Sequence, residues 1–294
     1  MVQLKKAIRE ISRRFVGERL TSRVGLEIRR RLRFVAHYRS KLRSKRGLEI
    51  GGPSALLART GDFPIYDVLE SLDNCVYSGN TIWTGKLSAG NTFVYDPGKR
   101  PGIQFICDAT DLGEIRSSQY DCILACHCLE HVANPLRALL EWKRVLKRDG
   151  FLLLVLPHKD GTFDWRRPTT SLAHMVEDHK NAVGEDDLTH LSEIVELHDL
   201  SLDAALTSAE EFRQRCLANH TNRAMHHHVF DTKTALEILD HAGFRLIRVD
   251  YILPLNIIIL ARCSDQPVDN RRFLSNRSKH LSRSPFASDH HGDN

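Results

Sequence analysis

The sequence lacks several patterns on which common protein classes depend. It has seven cysteines but no CxxC pair, so neither a disulfide framework nor a zinc knuckle is indicated. No apolar run reaches the roughly 18 to 20 residues that cross a bilayer, and the N-terminus has no apolar secretory segment. Neither GxGxxG nor HExxH occurs. We therefore expect a soluble, cytoplasmic protein with reduced thiols, without a dinucleotide site and without a metal site.

Positive charge is concentrated at one end of the chain. Residues 1–46 contain 16 Lys or Arg against three Glu, whereas the whole chain has a net charge of only +5. Apolar residues at helical spacing among these charges predict a basic amphipathic helical arm over residues 1–45. Such an arm can lie on an anionic membrane, bind a nucleic-acid backbone, or only cap the remaining domain. A lack of aromatic residues between the charges makes nucleic acid the least favoured partner. The apolar positions are Leu4, Ala7, Ile8, Ile11 and Phe15.

From residue 46 onward, short apolar runs alternate with helical patterns. Nearly continuous apolar runs are typical of strands that are covered on both faces. The last two runs are joined so closely across Pro254 that they should pair as an antiparallel hairpin. The alternation predicts an α/β fold with an open, doubly wound, mostly parallel sheet and one reversed strand. The predicted strands are 47–51, 92–96, 103–107, 121–126, 151–157, 244–252 and 256–263, and the main predicted helices are 134–147 and 232–242.

Two polar stretches complete the predicted organisation. Residues 159–228 are rich in His, Asp and Glu and interrupt the alternation directly after the fifth predicted strand. We expect them to form a helical lid at the carboxyl edge of the sheet, where open sheets bind ligands. Residues 264–294 are polar and are predicted to be a disordered tail. The domain therefore spans 46–263 and includes the lid.

A series of motifs runs through this domain in a fixed order. LEIGGPS ends the first strand, Tyr95 and Asp96 form an acidic strand end, CDATDL covers 107–112, and YDCILACHCLEHVANPLRALLEWKRVLKRDGFLLLVLPH covers 120–158. In order and spacing these motifs resemble the class I S-adenosylmethionine-dependent methyltransferases, particularly the bacterial small-molecule group called type 11. The resemblance implies a Rossmann-like sheet of seven strands with an antiparallel last strand. It also implies a methyl-transferring enzyme with S-adenosylmethionine as its cofactor.

The same resemblance implies residues that contact the cofactor. Its methionine end should lie against the glycine turn, its ribose hydroxyls against an acid at the end of the second strand, and its adenine against the CDATDL motif. One histidine should lie at the edge between cofactor and substrate. In that order the residues are Glu49, Gly51 and Gly52; Asp96; Asp108 and Ala109; and His127.

The sequence departs from the family pattern at two places. Pro53 and Ser54 stand where the third glycine of the first motif is expected, and about 40 residues separate Gly52 from Asp96. The second departure leaves an alternative open, in which Asp73 or Glu70 lies nearer the ribose. The first keeps a second function open, namely a catalytically silent methyltransferase fold that acts as a membrane-associated adaptor. The missing GxGxxG disfavours an oxidoreductase, and the absence of an NPPY-type tetrad disfavours nucleic-acid methylation.

Catalytic candidates follow from the chemistry of the acceptor. A hydroxyl acceptor requires a base that takes its proton, and histidine is suited to this at neutral pH. His127 and His158, at the ends of the fourth and fifth predicted strands, are the catalytic candidates. Glu130 and His131 of the LEH signature could touch substrate or could instead orient their loop.

The stretch PHKDGTFDWRRPTTS resembles bacterial methyltransferases of unassigned substrate, many of them found near surface-glycan genes. We therefore expect O-methylation of a small-molecule or glycan-type acceptor. The arginines of this stretch could bind an anionic or sugar substrate, or could equally brace the lid by pairing with its acids. The substrate-binding candidates are Trp165, Arg166, Arg167 and His228.

The run His226, His227 and His228 raises the question of a metal. Adjacent residues of an extended segment alternate in direction, so at most two of these rings could converge on one ion. Asp164, His158 or Asp231 could complete such a set. Because no ligand pair at helical spacing supports it, the sequence predicts no metal.

Overall fold

Strands alternate with helices along the residues that this computed structural model describes, 34–203, 206, 208–275 and 278–290. Eight strands form the main sheet, and two short strands form a separate hairpin. The strands are β1 (Arg46–Ile50), β2 (Ser71–Val76), β3 (Asn80–Thr81), β4 (Gly85–Lys86), β5 (Gly90–Phe93), β6 (Gly102–Ile106), β7 (Tyr120–Cys126), β8 (Leu146–Pro157), β9 (Phe244–Ile252) and β10 (Asn256–Cys263).

The main sheet has the order β5-β6-β2-β1-β7-β8-β10-β9. The five neighbouring strands β6, β2, β1, β7 and β8 pair in parallel. β10 runs antiparallel to both β8 and β9, and β5 adds an antiparallel edge beside β6. The predicted mostly parallel, Rossmann-like sheet is confirmed, with β10 as the predicted reversed strand. It has eight strands where seven were expected, and β5 is a second antiparallel strand that was not predicted.

The second parallel strand is the main element that sequence reasoning missed. It is β2, whereas the predicted strand at 92–96 corresponds only to the short edge strand β5. β2 reads SLDNCV, and its buried Asp73 and Asn74 break the apolar run by which buried strands are recognised. Both polar side chains are satisfied inside the protein: the Asp73 carboxylate accepts hydrogen bonds from Ile103 N and the Tyr120 hydroxyl, while the Asn74 amide clamps Gly52.

Helices cover both faces of this sheet. Asn134 caps the N-terminus of α2 by accepting a hydrogen bond from Arg137 N, and Pro135 occupies the first helical position. The helices in chain order are α1 (34–42), α2 (Pro135–Val145), α3 (Leu172–Lys180), α4 (Leu191–Leu197), α5 (Ala209–Leu217), α6 (Asn219–Asn222), α7 (Thr232–His241) and α8 (Arg271–Leu274). Helices α3 to α6 lie within the predicted lid, and most of the predicted arm lies outside the described residues.

Two apolar layers sandwich the sheet, and β8 supplies side chains to both. Leu152 and Leu154 join the layer that packs on α2, with Trp142 fully buried at its centre. Leu153 and Val155 join the opposite layer, which includes residues of α1. This alternation accounts for the continuous apolar run FLLLVLP, because both faces of the strand are buried.

The predicted disordered tail is wrong for the described residues after 263. Asn270 is buried and accepts a hydrogen bond from Leu246 N while donating to Phe244 O. Phe286 is also buried and stacks on the His158 ring at a centroid distance of 3.9 Å. Polar composition suggested disorder, but specific hydrogen bonds and the contacts of Phe286 with the rings of His158 and Tyr251 hold this segment against the domain. Among the described residues, no helix combines the length and apolar character that membrane crossing requires.

Candidate functional site

A cavity of about 970 Å³ opens at the carboxyl ends of the central parallel strands. Its floor consists of residues that end or follow β1, β2 and β7, and the lid and the β3–β4 hairpin supply the opposite wall. Open α/β sheets bind ligands at this edge, and the volume lies at the upper end of the range for small-molecule pockets. The cavity can therefore hold two small molecules side by side.

A tight turn after β1 forms one end of the cavity. Gly51 lines the cavity with φ +81°, in the left-handed region that favours glycine. Gly52 lies behind it, and a Cβ there would come within 2.3 Å of the Glu49 carboxylate. The Asn74 side chain accepts a hydrogen bond from Gly52 N and donates another to Gly52 O, each at 3.0 Å. The turn is thus held from below and leaves its backbone open to a ligand.

Glu49 supports this turn from inside the protein. Its carboxylate is fully buried and accepts hydrogen bonds from the Ser54 hydroxyl at 2.7 Å and the Tyr66 hydroxyl at 2.8 Å. Burial raises the pKa of Glu49 to about 7 in spite of these donors. Glu49 is not among the cavity-lining residues, so any influence on a cofactor acts through the turn.

Asp96 does not have the predicted position. It follows β5 instead of the second parallel strand, and its carboxylate pairs with Arg59 at 2.9 Å and accepts Gly98 N. It does not line the cavity, and neither do the alternatives Asp73 and Glu70. The residue that follows β2 into the cavity wall is Tyr77, whose hydroxyl donates to Asn222 O in the lid.

Asp108 and Ala109 lie in the cavity wall as predicted. One carboxylate oxygen of Asp108 accepts hydrogen bonds from Thr110, and the other pairs with the Arg223 guanidinium at 2.9 Å. Arg223 belongs to the lid and also pairs with Glu185. The lid therefore contacts the carboxylate to which an adenine contact was assigned.

His127 is an exposed residue of the cavity wall, directly after β7. Its Nε2 lies 2.8 Å from Asn256 Oδ1, and Asn256 Nδ2 donates to Ile252 O, which fixes the orientation of the amide. Because Oδ1 can only accept, Nε2 carries the proton and Nδ1 of a neutral ring keeps its lone pair. His127 thus presents a proton-accepting nitrogen.

Three further side chains cluster on the lid side of the cavity. Glu130, His131 and His226 all line it, and one potential metal-ligating atom of each lies within 4.8 Å of the others. His226 Nδ1 lies 2.6 Å from the buried carboxylate of Asp164. Burial opposes a charge on His226, but the adjacent Asp164 outweighs this and raises the pKa of the imidazole. His131 Nδ1 lies 3.2 Å from Met225 O.

The sequence did not predict that these three residues lie together. The sequence analysis considered Asp164 and His226 together for a metal, whereas it expected Glu130 and His131 to touch substrate or to orient their loop. The members come from two distant segments that the fold brings together. The sequence shows that the lid contains many histidines, but it does not show which of them face the cavity.

Besides Glu49, Gly52 and Asp96, five further predicted site residues lie outside the cavity wall. His158 is fully buried and its Nδ1 accepts a hydrogen bond from Asp160 N, so it cannot reach an acceptor. Its Nε2 lies 3.2 Å from Asp289 of the tail. The assignment of His158 as a base is therefore wrong in position, because the strand end at which it lies is covered by residues that were predicted to be disordered. The other four are Trp165, Arg166, Arg167 and His228.

These four residues form contacts within the lid or between the lid and the rest of the domain. Arg167 is 1% exposed and pairs with Asp164 and Glu193, which agrees with the bracing role that the sequence left open, although with other acids than those considered. Trp165 Nε1 donates to Asp199, and Arg166 pairs with the same carboxylate. His228 is buried with Nε2 3.2 Å from Ala133 O.

Comparison with known proteins agrees with the motif analysis. Residues 74–154 match the family model described as a methyltransferase domain, which confirms the resemblance over that range. No curated protein matches the chain.

Among solved structures, three similar folds are methyltransferases. One is the 1,6-didemethyltoxoflavin-N1-methyltransferase of Burkholderia thailandensis with bound 1,6-didemethyltoxoflavin and S-adenosylhomocysteine, at 13% identity and TM-score 0.43, covering 79% of this chain and 78% of the other. Another is an S-adenosylmethionine-dependent methyltransferase of Methanosarcina mazei, at 16% identity and TM-score 0.41, covering 77% and 94%. The third is such an enzyme of Aquifex aeolicus, at 12% identity and TM-score 0.41, covering 79% and 88%.

Proposed function

We propose that this S-adenosylmethionine-dependent methyltransferase methylates a hydroxyl group of a small-molecule or glycan-type acceptor. One observation carries the proposal: a single cavity contains the open glycine turn, the CDATDL residues and a histidine with a free proton-accepting nitrogen. The turn and the carboxylate suit the cofactor, and the histidine suits a hydroxyl that must lose its proton as the new bond forms.

The cavity residues fit the cofactor at two places. Gly51 offers backbone without a side chain at the turn, and Asp108 with Ala109 offers a carboxylate and a backbone amide for the adenine. Arg223 must share or release the Asp108 carboxylate for that contact. When bound, the cofactor supplies an electrophilic methyl group on a sulfonium. The protein supplies alignment, a proton acceptor and the exclusion of water.

His127 Nδ1 is the proposed proton acceptor. The acceptor hydroxyl would pass its proton to Nδ1 as its oxygen takes the methyl group, whose bond to the sulfonium sulfur breaks and leaves a neutral thioether. The Nε2–H···Oδ1 bond to Asn256 holds the ring in the required tautomer. Asn256 lines the same cavity, so both members of the hydrogen-bonded pair belong to the site.

Aromatic side chains of the cavity support a planar or sugar-like acceptor. Trp83 of the β3–β4 hairpin lines the cavity with 54% of its surface exposed, and its ring meets the His131 ring edge-on at 5.3 Å. Phe163 also lines the cavity, and its ring lies 4.8 Å from the His226 ring. Exposed indole rings bind flat apolar faces while the surrounding polar groups fix orientation.

Methyl transfer from isotopically labelled cofactor tests this proposal directly. The acceptors are a panel of glycans and small hydroxylated molecules, each paired with an analogue in which the hydroxyls are blocked. We expect label to enter only the free hydroxyl compounds. Label that enters amines or thiols instead would contradict O-methylation, and cofactor binding without any transfer would favour the silent adaptor.

Peripheral contact with an anionic membrane is a separate part of the proposal and rests on the basic sequence of residues 1–45. Replacing Lys5, Lys6, Arg9, Arg13 and Arg14 by glutamine removes five positive charges without shortening the chain. We expect sedimentation with phosphatidylserine-containing vesicles to fall, because each basic residue near such a surface contributes about 1 kcal/mol. Equal sedimentation of both proteins would contradict membrane contact.

A further inference from the structure

The cluster of Glu130, His131 and His226 has the composition of a metal site. Two imidazoles and one carboxylate are a ligand set typical of divalent transition metals, with further coordination positions left open. The set occupies one region of the wall, since Glu130 and His131 are consecutive in a 3₁₀ turn and His226 approaches from the lid. Its potential ligand atoms lie within 4.8 Å of one another.

Glu130 gives an independent indication that a cation belongs here. Its side chain is 1% exposed, and its Oε2 is buried with no hydrogen-bond partner among the described residues. No Lys or Arg of the described chain forms an ion pair with it. A buried carboxylate oxygen without a partner is costly, and native proteins rarely leave one unless an ion or water satisfies it.

Both imidazoles are oriented from behind by hydrogen bonds through Nδ1. Asp164 accepts from His226 Nδ1 at 2.6 Å, and Met225 O accepts from His131 Nδ1 at 3.2 Å. In each ring this leaves Nε2 with the lone pair that a metal requires. Carboxylates and backbone carbonyls hold metal-binding histidines in the same way. Arg167 Nη1 fixes the other Asp164 oxygen at 3.1 Å, so the support is itself rigid.

We propose that Glu130, His131 and His226 bind a divalent transition-metal ion at the lid side of the cavity. Ligands about 2.1 Å from a tetrahedral ion lie about 3.4 Å apart, so small side-chain rotations bring this set into range. Nitrogen ligands favour zinc-like ions over magnesium, which prefers oxygen ligands and retains its water. The ion neutralises the buried Glu130 carboxylate.

The open coordination positions of the ion face the acceptor space. All three ligands line the cavity that also contains His127, so a hydroxyl oxygen of the acceptor is the fitting additional ligand. Coordination would orient that oxygen and ease the loss of its proton. This assignment of the additional ligand rests on the proposed O-methylation, whereas binding of the ion itself does not.

Calorimetric titration of the full-length, chelator-stripped protein with Zn²⁺ measures the site without any need for activity. Wild type is compared with Glu130→Gln, His131→Gln and His226→Gln, and with His241→Gln as control, since His241 is an exposed residue at the end of α7. We expect one tight equivalent in wild type and the control, and a loss of at least about 100-fold in affinity in each ligand variant.

The geometry of the ion and the role of Asp164 are tested in the same protein. Co²⁺ in place of Zn²⁺ should give the visible absorption of a low-coordinate nitrogen and oxygen site, and Mg²⁺ should not compete. As a positioning residue, Asp164 should affect affinity without being a ligand, so Asp164→Asn should weaken binding by about 10- to 100-fold. Circular dichroism and binding of S-adenosylhomocysteine in the presence of chelator report whether each variant is folded.

Two outcomes overturn the metal site. One is wild-type protein that binds Zn²⁺ only weakly and in several equivalents, as a chain with 16 histidines can do on its surface. The other is tight binding that persists in all three ligand variants. Neither outcome affects the proposed methylation, because S-adenosylhomocysteine binding with chelator present and transfer to hydroxyl acceptors are measured independently.

Discussion

The two ends of the cavity are built in different ways. The turn after β1 is made of residues close in sequence, and its polar groups are satisfied within the protein, as the Asn74 clamp on Gly52 shows. The lid side combines residues about 95 positions apart, Glu130 to His226, and leaves a buried carboxylate oxygen without a partner among the described residues. The preformed turn after β1 suits a ligand that is the same in every reaction. The lid side, with its unpaired carboxylate oxygen, suits a ligand that differs between reactions or that binds together with an ion.

Replacement of His127 should have the largest effect on the rate of methyl transfer, because it removes the proposed proton acceptor and leaves the glycine turn unchanged. We expect His127→Ala to lower kcat by about 100- to 10,000-fold, which is the usual contribution of a general base. Cofactor affinity should change little. His158→Asn is the matched control at the position that the sequence also proposed. Equal losses in kcat for both variants would contradict the role of His127.

Replacement of Gly51 should disrupt cofactor binding at the turn after β1. A valine there requires φ near +81° and adds branched bulk to a cavity-lining turn. We expect Gly51→Val to weaken S-adenosylhomocysteine binding by at least about 100-fold, which corresponds to about 2.8 kcal/mol. Calorimetry gives the affinity and thermal melting checks the fold. Retained affinity in a folded variant would remove the turn from the cofactor site.

Glu49 gives this end a pH dependence in stability. Its pKa is about 7 in the folded protein against 4.5 unfolded, because burial disfavours the charge. The native state therefore binds the proton more tightly, and this contribution is complete below pH 4.5 and is lost as the pH rises to about 7. We expect wild type to lose about 3 kcal/mol of unfolding free energy relative to Glu49→Gln across that window. Denaturant titrations at pH 4.5 and 7.5 measure it, and a constant difference would refute it.

The smallest effect is expected outside the cavity. Trp165 and Arg166 contact Asp199 on the lid and do not line the cavity. We expect the double variant Trp165→Ala and Arg166→Ala to keep kcat/KM for a hydroxyl acceptor within about twofold, as surface changes usually do. A tenfold rise in KM with an unchanged kcat would restore their predicted role in substrate binding.

Sequence reasoning located the parts of the fold that local pattern determines. Continuous apolar runs located β7, β8 and β10, and the helical pattern at 134–147 placed α2 to within two residues. The sequence did not predict β2 because its buried Asp73 and Asn74 are satisfied by partners 22 to 47 residues away, which no local pattern reveals. The same error moved the expected ribose contact to Asp96.

In the candidate site, too, local pattern predicted some residues, whereas others depend on distant contacts. Gly51, Asp108, Ala109 and His127 line the cavity because each lies within three residues after the end of a strand, so the motif order determined their positions. The lid residues were misjudged because their chemistry, and not their burial, can be read from the sequence. Arg167 and His228 are inside the lid, whereas His226, two residues before His228, faces the cavity.

The central claim is that the carboxyl edge of the sheet holds a methyltransferase cofactor site. Titration calorimetry of the full-length protein with S-adenosylhomocysteine, with chelator present and with NAD as the control ligand, tests it most directly. We expect micromolar, one-to-one binding of S-adenosylhomocysteine, no heat from NAD, and loss of the signal in Gly51→Val. No binding to folded wild-type protein, or binding of NAD alone, would contradict the claim.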